Sequence, residues 1–419
     1  MPAGSPLLDA LKARGLLYQC TDGLDAHLAG GPRTVYCGFD PTAASLHVGN
    51  LVQLVALSRL ADAGHRVIAL VGGGTAMIGD PSGKSVERPL LGVEDVIANS
   101  AAIEAQIRRV LGGRVTLVDN ASWLRELRTI DFLRDVGKHF PINQMLAKDS
   151  VKSRLDAGIS YTEFSYMLLQ AYDFLQLFKR HGVSIQMGGS DQWGNITAGT
   201  ELIRRSAGGE AHALTTPLLT TASGKKFGKT EAGAVWLKDD AKSVFEFYQF
   251  WVNTDDADVP AMLKIFTSLP EAELAALAQE TTNHPERRAA QRALADAVTT
   301  LVHGADALRR AKGASEILFT RGSDYTSFAD DALALAREMS GGKTIRFTGG
   351  ATPLADVVAE VFDVSKSEVR RLQSQGGLSV NGAKIAEGTT ELSRDAAIRG
   401  RWFVIKRGGQ KVAVVDVAG

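Results

Sequence analysis

The chain has 419 residues, 45% hydrophobic and 22% charged, so it can bury a sizeable core and is long enough for two or three domains. Its 47 basic and 47 acidic residues cancel, which excludes a global attraction to polyanions and leaves only a local surface for nucleic acid. Two cysteines and eight scattered histidines exclude a disulfide framework and indicate no structural metal.

The first half of the chain alternates strand and helix patterns. A helix-like mixture at Leu7–Lys12 contains no apolar signal core, and no stretch is long enough to span a bilayer, so we expect a cytoplasmic protein with no membrane contact. From about Thr34 to Asn195, short β-branched runs alternate with helical patterns, which predicts a Rossmann-like, doubly wound parallel sheet with ligands at the strand carboxyl ends. The runs are Thr34–Asp40, Arg66–Val71, Val115–Val118 and Val183–Met187.

The tetrapeptide His47-Val48-Gly49-Asn50 lies between the first run and a helical pattern that begins at Leu51. A helix N-terminus offers unpaired N–H groups and a positive dipole end to an anion. His47 can donate to a phosphoryl oxygen, and Gly49 allows a nucleotide to approach the backbone. A surface histidine beside a turn glycine is the alternative for this tetrapeptide alone.

The stretch Gly79–Ser85 is similar to a P-loop but has three residues between its glycines where that motif needs four. Asp80 within it would also repel phosphate. A loop with two cations, Lys84 and Arg88, suits charge neutralisation during phosphoryl transfer. An exposed turn with ordinary surface charges is the alternative.

A helix predicted from about Thr162 to Lys179 carries Tyr166, Gln170 and Asp173 on one stripe, because their spacing is i, i+4 and i+7. The rest of this helix is largely apolar, which indicates burial. Buried polar side chains need partners, and a ligand can supply them. Internal hydrogen bonds are the alternative.

Two further loops have features of a nucleotide site. Gly188–Asn195 follows a predicted strand and begins a helix, where Gly189 allows close approach and Asp191 suits a ribose hydroxyl, although Asp191 could instead cap the helix. Lys226-Phe227-Gly228-Lys229-Thr230 contains two cations that could hold a triphosphate, but taken alone it is typical of plain surface.

The second half of the chain changes character. We predict three domains, namely a catalytic domain over residues 1–240, a helical domain over 241–340 and a small α+β domain over 341–419. The last segment has twelve basic and eight acidic residues, with cations at Lys366, Arg370 and Arg371 on a predicted helix and at Arg399, Arg401, Lys406 and Arg407 near the end. Asn381-Gly382 between apolar runs predicts a tight hairpin. The charge could serve RNA or simply be a solvated face.

The spacing and order of two motifs point to a family. The stretch Tyr36–Asn50 and the segment Lys226–Thr230 resemble the HIGH and KMSKS signatures of class I aminoacyl-tRNA synthetases, and the details are similar to the bacterial tyrosyl-tRNA synthetases. Asn50 departs from the pattern, since HIGH has a second histidine there, but asparagine can still donate a hydrogen bond. Residues 341–419 resemble the S4-like RNA-binding fold appended to those enzymes.

The resemblance implies roles for individual residues. It assigns the substrate phenol to Tyr36 and Asp173, the ammonium group to Asp80, Tyr166 and Gln170, and places Gln192 near the substrate carboxylate. The residues implied in ATP binding are Cys37, Gly38, Asp40, His47, Gly49, Asn50, Gly189, Asp191, Lys226 and Lys229. Those implied in stabilising phosphoryl charge are Thr42, His47, Lys84, Arg88, Lys226 and Lys229. Those implied in tRNA binding are Lys366, Arg370, Arg371 and Arg401.

The implied activity is tyrosine–tRNA ligation, in which tyrosine reacts with ATP and Mg²⁺ and the tyrosyl group then passes to the terminal adenosine of tRNA(Tyr). No tightly bound cofactor is expected, and the resemblance implies a homodimer. Three alternatives remain, namely a tryptophan enzyme of the same class, a noncatalytic RNA-binding relative and a simpler nucleotidyltransferase. The Tyr36 and Asp173 pair argues for a phenol, and the retained His47 and lysines argue for catalysis.

Overall fold

The computed structural model of this chain describes residues 5–82, 90–152, 154–156, 158–230, 233–320, 324–347, 349–409 and 411–418. The residues group into two compact units, one made of Met1–Leu237 and Thr254–Leu294 and the other of Lys238–Asn253 and Ala295–Gly419. The domain boundaries predicted after residues 240 and 340 stay a prediction. Within the described ranges, no helix has the length and apolar character that crossing a membrane requires.

The strands confirm each of the four runs predicted in the first half. In chain order they are β1 (Gln19–Cys20), β2 (Thr34–Phe39), β3 (Arg66–Val71), β4 (Val115–Asp119), β5 (Val183–Gly189), β6 (His212–Thr216), β7 (Lys229–Thr230), β8 (Gly233–Ala234), β9 (Thr344–Arg346), β10 (Ala351–Pro353), β11 (Leu378–Val380), β12 (Ala383–Lys384), β13 (Glu391–Ser393), β14 (Trp402–Arg407) and β15 (Lys411–Ala418).

The helices of both units are, in chain order, α1 (Pro6–Ala13), α2 (Leu24–Ala29), α3 (Val48–Asp62), α4 (Val93–Leu111), α5 (Ala121–Leu124), α6 (Thr129–Asp135), α7 (Ile142–Leu146), α8 (Asp149–Lys152), α9 (Tyr161–His181), α10 (Trp193–Ala207), α11 (Ala241–Val252), α12 (Val259–Phe266), α13 (Glu271–Asn283), α14 (Ala289–His303), α15 (Ala305–Phe319), α16 (Asp330–Met339), α17 (Leu354–Phe362) and α18 (Lys366–Ser374).

The first unit is built on a six-stranded sheet in the order β1-β6-β5-β2-β3-β4. All neighbouring pairs are parallel except β1 with β6. The chain continues from β2 to β3 and β4 on one side, and β5 and β6 lie on the other side. This arrangement confirms the predicted doubly wound fold, and it makes β2 and β5 the pair at which the strand order reverses.

The strand β2 and the helix α9 form the centre of the first unit because both are largely buried. Every residue of β2 except Gly38 is buried, as expected for a parallel strand covered on both faces. Helix α9 begins where the Ser160 side chain accepts a hydrogen bond from the Glu163 N–H and ends at Gly182, whose φ of 63° is left-handed. Phe174 of α9 packs against Tyr36 of β2, with ring centroids 5.3 Å apart.

The second unit contains a five-stranded sheet in the order β12-β11-β14-β15-β9. One apolar cluster joins α15 and α16 to this sheet, and a second cluster joins α17 and α18 to it. Asn381 and Gly382 have φ values of 49° and 88°, which confirms the predicted two-residue hairpin between β11 and β12. The fold class is therefore confirmed, with a parallel α/β sheet, helices and a small α+β layer near the end of the chain.

Candidate active site

The predicted site residues of the first unit come from several elements around β2 and β5. Tyr36, Cys37 and Gly38 lie on β2, and Asp80 follows β3. Tyr166, Gln170 and Asp173 lie on α9, and Gly189, Asp191 and Gln192 lie at the end of β5 and in the turn after it. Tyr36 pairs with Gln186 and Cys37 pairs with Met187 in the parallel register of these two strands. The chain then leaves β2 through the loop to α3, and it leaves β5 through the turn Ser190–Gln192 to α10. The sheet therefore opens a crevice of the kind in which doubly wound proteins bind ligands.

His47 is the N-cap of α3, and a capping box joins it to Asn50. Its Nδ1 accepts a hydrogen bond from the Asn50 N–H at 3.3 Å, while Asn50 Oδ1 accepts from the His47 N–H at 3.1 Å. Because Nδ1 is the acceptor, the neutral imidazole carries its proton on Nε2. Asn50 therefore serves as a capping residue, and its role toward ATP stays a prediction.

Gly49 is required beside this ring, since an added Cβ would lie 2.9 Å from His47 Cε1. The other glycine of the nucleotide prediction, Gly189, is equally constrained by Asp191, whose Oδ1 would be 2.6 Å from a new Cβ. Gly38 is the exposed residue of β2, and an added Cβ would meet nothing within 4 Å among the described residues. Gly38 therefore leaves the backbone of β2 open to a ligand, whereas Gly49 and Gly189 lie close to the side chains of His47 and Asp191.

A backbone ladder joins the two phosphate motifs. The Val48 N–H donates to the Val235 carbonyl at 3.0 Å, and the Val235 N–H donates to the Gly228 carbonyl at 2.9 Å. A Cβ on Gly228 would lie 3.2 Å from the Val48 Cβ, so the two segments are in close contact. The structure therefore brings together motifs that are about 180 residues apart in the chain.

The cations of these motifs are described only in part. Lys226 is exposed. Lys84 and Arg88 lie outside the described residues, as does the side chain of Lys229. Thr42 is exposed, and its N–H donates to the Asp40 carbonyl at 2.8 Å. The roles of these residues toward phosphate stay predictions.

The residues assigned to the substrate ammonium group form a hydrogen-bonded network. Asp80 Oδ2 accepts from Gln192 Nε2 at 2.7 Å, and Asp80 Oδ1 accepts from the Ser82 N–H at 2.9 Å. Asn195, which is buried and had no predicted role, donates to Gln170 Oε1 at 3.1 Å and lies 3.4 Å from Asp80 Oδ1. The structure therefore places Asp80, Gln170 and Gln192 around one asparagine.

Tyr166 belongs to the same region through Asp40, which the prediction assigned to ATP. The Tyr166 hydroxyl donates to Asp40 Oδ2 at 2.7 Å, and Thr75 Oγ1 donates to Asp40 Oδ1 at 2.8 Å. Burial, and then the charges of Asp40 and Asp80, hold the pKa of Tyr166 well above its ordinary value. Two carboxylates so close to a neutral phenol favour a cationic ligand.

Asp173 is 2% exposed, and both of its carboxylate oxygens accept hydrogen bonds. Trp123 Nε1 donates to Oδ1 at 2.7 Å, and Asn120 Nδ2 donates to Oδ2 at 2.8 Å. Burial raises the pKa of Asp173 to about 8, and the two hydrogen bonds oppose that rise. The neighbouring Tyr36 is fully buried, and its pKa is raised by burial and then by the Asp173 charge.

The Tyr36 hydroxyl has no hydrogen-bond partner among the described residues. A buried hydroxyl without a partner costs about 1–3 kcal/mol. Such a group, beside a carboxylate at the foot of a ligand crevice, is suited to receive a ligand that brings its own hydroxyl. Cys37, the next residue, is buried, and burial raises the pKa of its thiol to about 12.

The basic residues predicted to bind tRNA belong to the second unit and differ in how their charges are engaged. Lys366 pairs with Asp356 at 2.6 Å, and Arg401 pairs with Asp416 at 2.9 Å. Arg371 lies 3.6 Å from Glu368. Arg370 is exposed and makes no ion pair with the described residues.

Two of these four cations, Arg370 and Arg371, line a cavity of about 540 Å³. Lys366 and Arg401 do not belong to its lining. Gln373, Ser374, Glu387 and Gly388 complete that lining. Arg399 and Arg401 precede β14, whereas Lys406 and Arg407 lie within it. Arg370 and Arg371 therefore line one cavity, while Lys366 and Arg401 lie outside its lining and form shorter ion pairs of 2.6 and 2.9 Å.

Comparison with known proteins identifies the family. The family model described as tRNA synthetases class I (W and Y) matches residues 28–320. The tyrosine–tRNA ligase of Anaeromyxobacter dehalogenans is 49% identical over 417 residues, covering 98% of this chain and 99% of that protein. The chain belongs to the tyrosine–tRNA ligases.

Other relatives support this membership. The tyrosine–tRNA ligase of Bacillus caldotenax is 48% identical over 425 residues, covering 98% of this chain and all of that protein. The C-terminally truncated mitochondrial tyrosyl-tRNA synthetase of Aspergillus nidulans matches with a TM-score of 0.67 and 33% identity, over 75% of this chain and 94% of that one. The predicted resemblance to bacterial tyrosyl-tRNA synthetases is confirmed.

Sequence reasoning missed Asn120 and Trp123, whose side chains donate hydrogen bonds to Asp173. Both follow β4, whose carboxyl end lies at the same edge of the sheet as those of β2 and β3. That position was a usable signal, because polar side chains after parallel strands gather at one edge. Neither residue lies in a motif, however, and only the packing of α9 shows which carboxylate they reach.

We predict that Asn120→Ala shifts the pH dependence of tyrosine binding to higher pH. Asp173 must be ionised to accept best from a phenol, and the lost hydrogen bond raises its pKa further above 8. Tyrosine affinity should rise as pH increases from 7 toward 9 in the wild type, and the variant's curve should lie at higher pH. Titration of intrinsic fluorescence at several pH values measures this.

The control for Asn120→Ala is Ser122→Ala, an exposed residue of the same segment whose hydroxyl donates only to the Asp119 carbonyl among the described residues. Its pH curve should match the wild type. Coincident curves for Asn120→Ala and the wild type would show that this hydrogen bond does not tune Asp173.

Proposed function

We propose that this chain activates L-tyrosine with ATP and transfers the tyrosyl group to tRNA(Tyr). Identity of 48–49% to tyrosine–tRNA ligases over nearly the whole chain supports the activity. The single observation that carries the substrate is the buried Tyr36 hydroxyl near Asp173, which has no hydrogen-bond partner in the described part of the chain. A tyrosine side chain would complete both groups, since its phenol can donate to Asp173 and accept from Tyr36.

The proposed tyrosine site has two ends of different chemistry. The ring hydroxyl enters between Tyr36 and Asp173, while the ammonium group meets Asp80, Tyr166 and Gln170. Phenylalanine would leave the Tyr36 hydroxyl and one acceptor of Asp173 without partners in a buried place, which disfavours it. An indole lacks the hydroxyl acceptor that Tyr36 requires, so tryptophan fits this pair less well.

In the first step the tyrosine carboxylate attacks the α-phosphorus of ATP, forming the acyl-phosphate bond as the bond to pyrophosphate breaks. The carboxylate is already ionised at neutral pH, so no general base is needed. His47 Nε2–H and Thr42 would donate to the phosphoryl oxygens, with Lys84, Arg88, Lys226 and Lys229 neutralising the developing charge. Mg²⁺ would enter with ATP as part of the substrate, and Asp191 would hold the ribose.

In the second step a ribose hydroxyl of the terminal adenosine of tRNA, which we take to be the 2′-OH, attacks the tyrosyl carbonyl. The new ester bond forms as the bond to AMP breaks, and the hydroxyl proton leaves to solvent or phosphate. The patch of Arg370 and Arg371 in the second unit would contact tRNA phosphates, because arginine forks match phosphate geometry.

We further propose a cytoplasmic homodimer. Large apolar side chains are exposed in one segment of the first unit, and such surface marks interaction sites in soluble proteins. They are Ile130, Leu133, Ile142, Leu146, Leu155 and Tyr161. Cys20 and Cys37 are both free thiols, which suits a reducing compartment.

We predict that Tyr36→Phe narrows the preference for tyrosine over phenylalanine in ATP–pyrophosphate exchange by about tenfold, the equivalent of one lost hydrogen bond. Stability should not fall, because the hydroxyl is unpartnered among the described residues in the free protein. Tyr172→Phe, at a half-buried position of α9, serves as the control. If Tyr36→Phe prefers tyrosine over phenylalanine as strongly as the wild type does, the phenol site is misassigned. If an amino acid other than tyrosine supports ATP–pyrophosphate exchange best in the wild type, the proposed substrate is refuted.

We predict that His47→Ser slows tyrosyl-adenylate formation about a hundredfold, as expected for loss of a donor to developing oxyanion charge. Serine keeps the N-cap acceptor, so stability and tyrosine affinity should change little. Rapid-mixing fluorescence separates the rate constant from affinity. His65→Ser replaces a histidine outside the proposed nucleotide site, where Nδ1 accepts from the Arg33 N–H, and should leave the rate unchanged. A His47→Ser rate equal to wild type would remove His47 from catalysis.

We predict that Arg370→Ala raises the KM for tRNA several-fold, while the rate of pyrophosphate exchange is unchanged. The slope of log tRNA affinity against log salt concentration should become shallower by about one, as expected for one lost phosphate contact. Arg401→Ala should affect tRNA less, since Asp416 already engages that guanidinium through two hydrogen bonds. Charging assays across a salt series compare the two. Equal effects on tRNA would contradict the distinction between the patch and the ion pairs.

A further inference from the structure

Helix α4 makes contacts with the loop Pro41–Leu46 that neither the motifs nor the proposed mechanism explain. This loop carries Thr42 and leads directly to His47. Asn99 and Gln106 are seven residues apart on α4, so they lie on the same face of the helix. Each of them reaches a different end of the loop.

Gln106 holds the end next to His47. Its Oε1 accepts from the Leu46 N–H at 2.8 Å, and its Nε2 donates to Ser45 Oγ at 3.2 Å. The Ser45 hydroxyl in turn donates to the Leu46 carbonyl at 2.8 Å. Ser45 and Leu46 are both buried, so these bonds are shielded from competing water.

Asn99 holds the other end, because its Nδ2 donates to the Pro41 carbonyl at 3.1 Å. The opposite side of the loop is bound by backbone, where the Leu237 N–H donates to the Leu46 carbonyl at 2.8 Å. Leu46, the residue before His47, is therefore held through its N–H by the Gln106 side chain of α4 and through its carbonyl by the Leu237 N–H.

We propose that Gln106, assisted by Asn99, is a positioning residue that fixes the His47 loop for attack on the α-phosphate. The inference rests on the proposed function, since it assigns a role in tyrosyl-adenylate formation. The physical reason is that His47 and Thr42 act through hydrogen bonds, and a displacement of about 1 Å is enough to weaken a catalytic contact severely. The groups proposed to bind tyrosine lie on β2, on α9, near the start of α10 and after β3, and among the described residues the hydrogen bonds of Gln106 go to Ser45 and Leu46 instead.

The test measures the rate constant of tyrosyl-adenylate formation and the tyrosine dissociation constant in Gln106→Leu, Gln106→Glu and Asn99→Ala. Gln106→Leu should lower the rate constant of tyrosyl-adenylate formation about tenfold, while the tyrosine dissociation constant stays within about twofold of the wild-type value. Gln106→Glu keeps an acceptor for the Leu46 N–H and should recover most of the rate. Arg108→Gln, an exposed position on the same helix, is the matched control.

A purely structural role predicts a different outcome, in which Gln106→Leu lowers the melting temperature but keeps the wild-type rate. That result, an equal loss in Gln106→Glu, or a parallel loss of tyrosine affinity would overturn the inference. If Gln106→Leu does not fold, the rate constants and tyrosine dissociation constants of Asn99→Ala and Gln106→Glu test the positioning role instead. Failure of the proposed function gives a different result, because the wild-type protein itself would then form no tyrosyl-adenylate.

Discussion

The parallel pairing of β2 with β5 is the constraint on which the rest of the first unit depends. The two strands are neighbours, yet the chain continues from β2 toward β3 and β4 at one edge of the sheet and from β5 toward β6 at the other, and such a reversal leaves a crevice above the strand carboxyl ends. The groups that we propose to bind tyrosine and the nucleotide reach this crevice from different directions. Tyr36 comes from β2 itself, His47 from α3 and Asp191 from the turn after β5.

Burial decides how each polar group at this crevice behaves. Asp40, Asp80 and Asp173 all lie in or near low-dielectric surroundings, and each is held by hydrogen bonds from neighbouring side chains. Unpaired, such carboxylates would be costly; paired, they provide a rigid and electronegative site for an ammonium ion. The Tyr36 hydroxyl is the exception that points to a substrate, since rigid surroundings leave it without a partner among the described residues.

The proposed nucleotide site depends on backbone groups more than on buried carboxylates. Its described part consists of a helix N-terminus, glycines that admit a close approach, and segments tied together by backbone hydrogen bonds. Such a surface suits phosphoryl transfer, which needs charge stabilisation and positioning more than a reactive side chain. The ladder through Val235 means that the His47 helix and the Lys226 loop share one backbone frame, and α4 holds that frame from another side.

By itself the sequence determined the fold class, the parallel strands, the helix α9 with its polar stripe and the Asn381-Gly382 hairpin. These follow from periodicity and turn chemistry, which act over a few residues and are legible in one dimension. The order and spacing of the two phosphate motifs also sufficed to indicate the family.

Only the tertiary structure decided which distant groups meet. Three sets of contacts have no local pattern, because each joins groups between 25 and 60 residues apart in the chain. They are those of Asn120 and Trp123 with Asp173, of Asn195 with Gln170, and of Gln106 with the Leu46 backbone. The same holds for the separation of the basic residues into a patch and a set of ion pairs. Hydrogen bonds and ion pairs depend on distances of a few ångströms, and those distances exist only after the sheet and helices have packed.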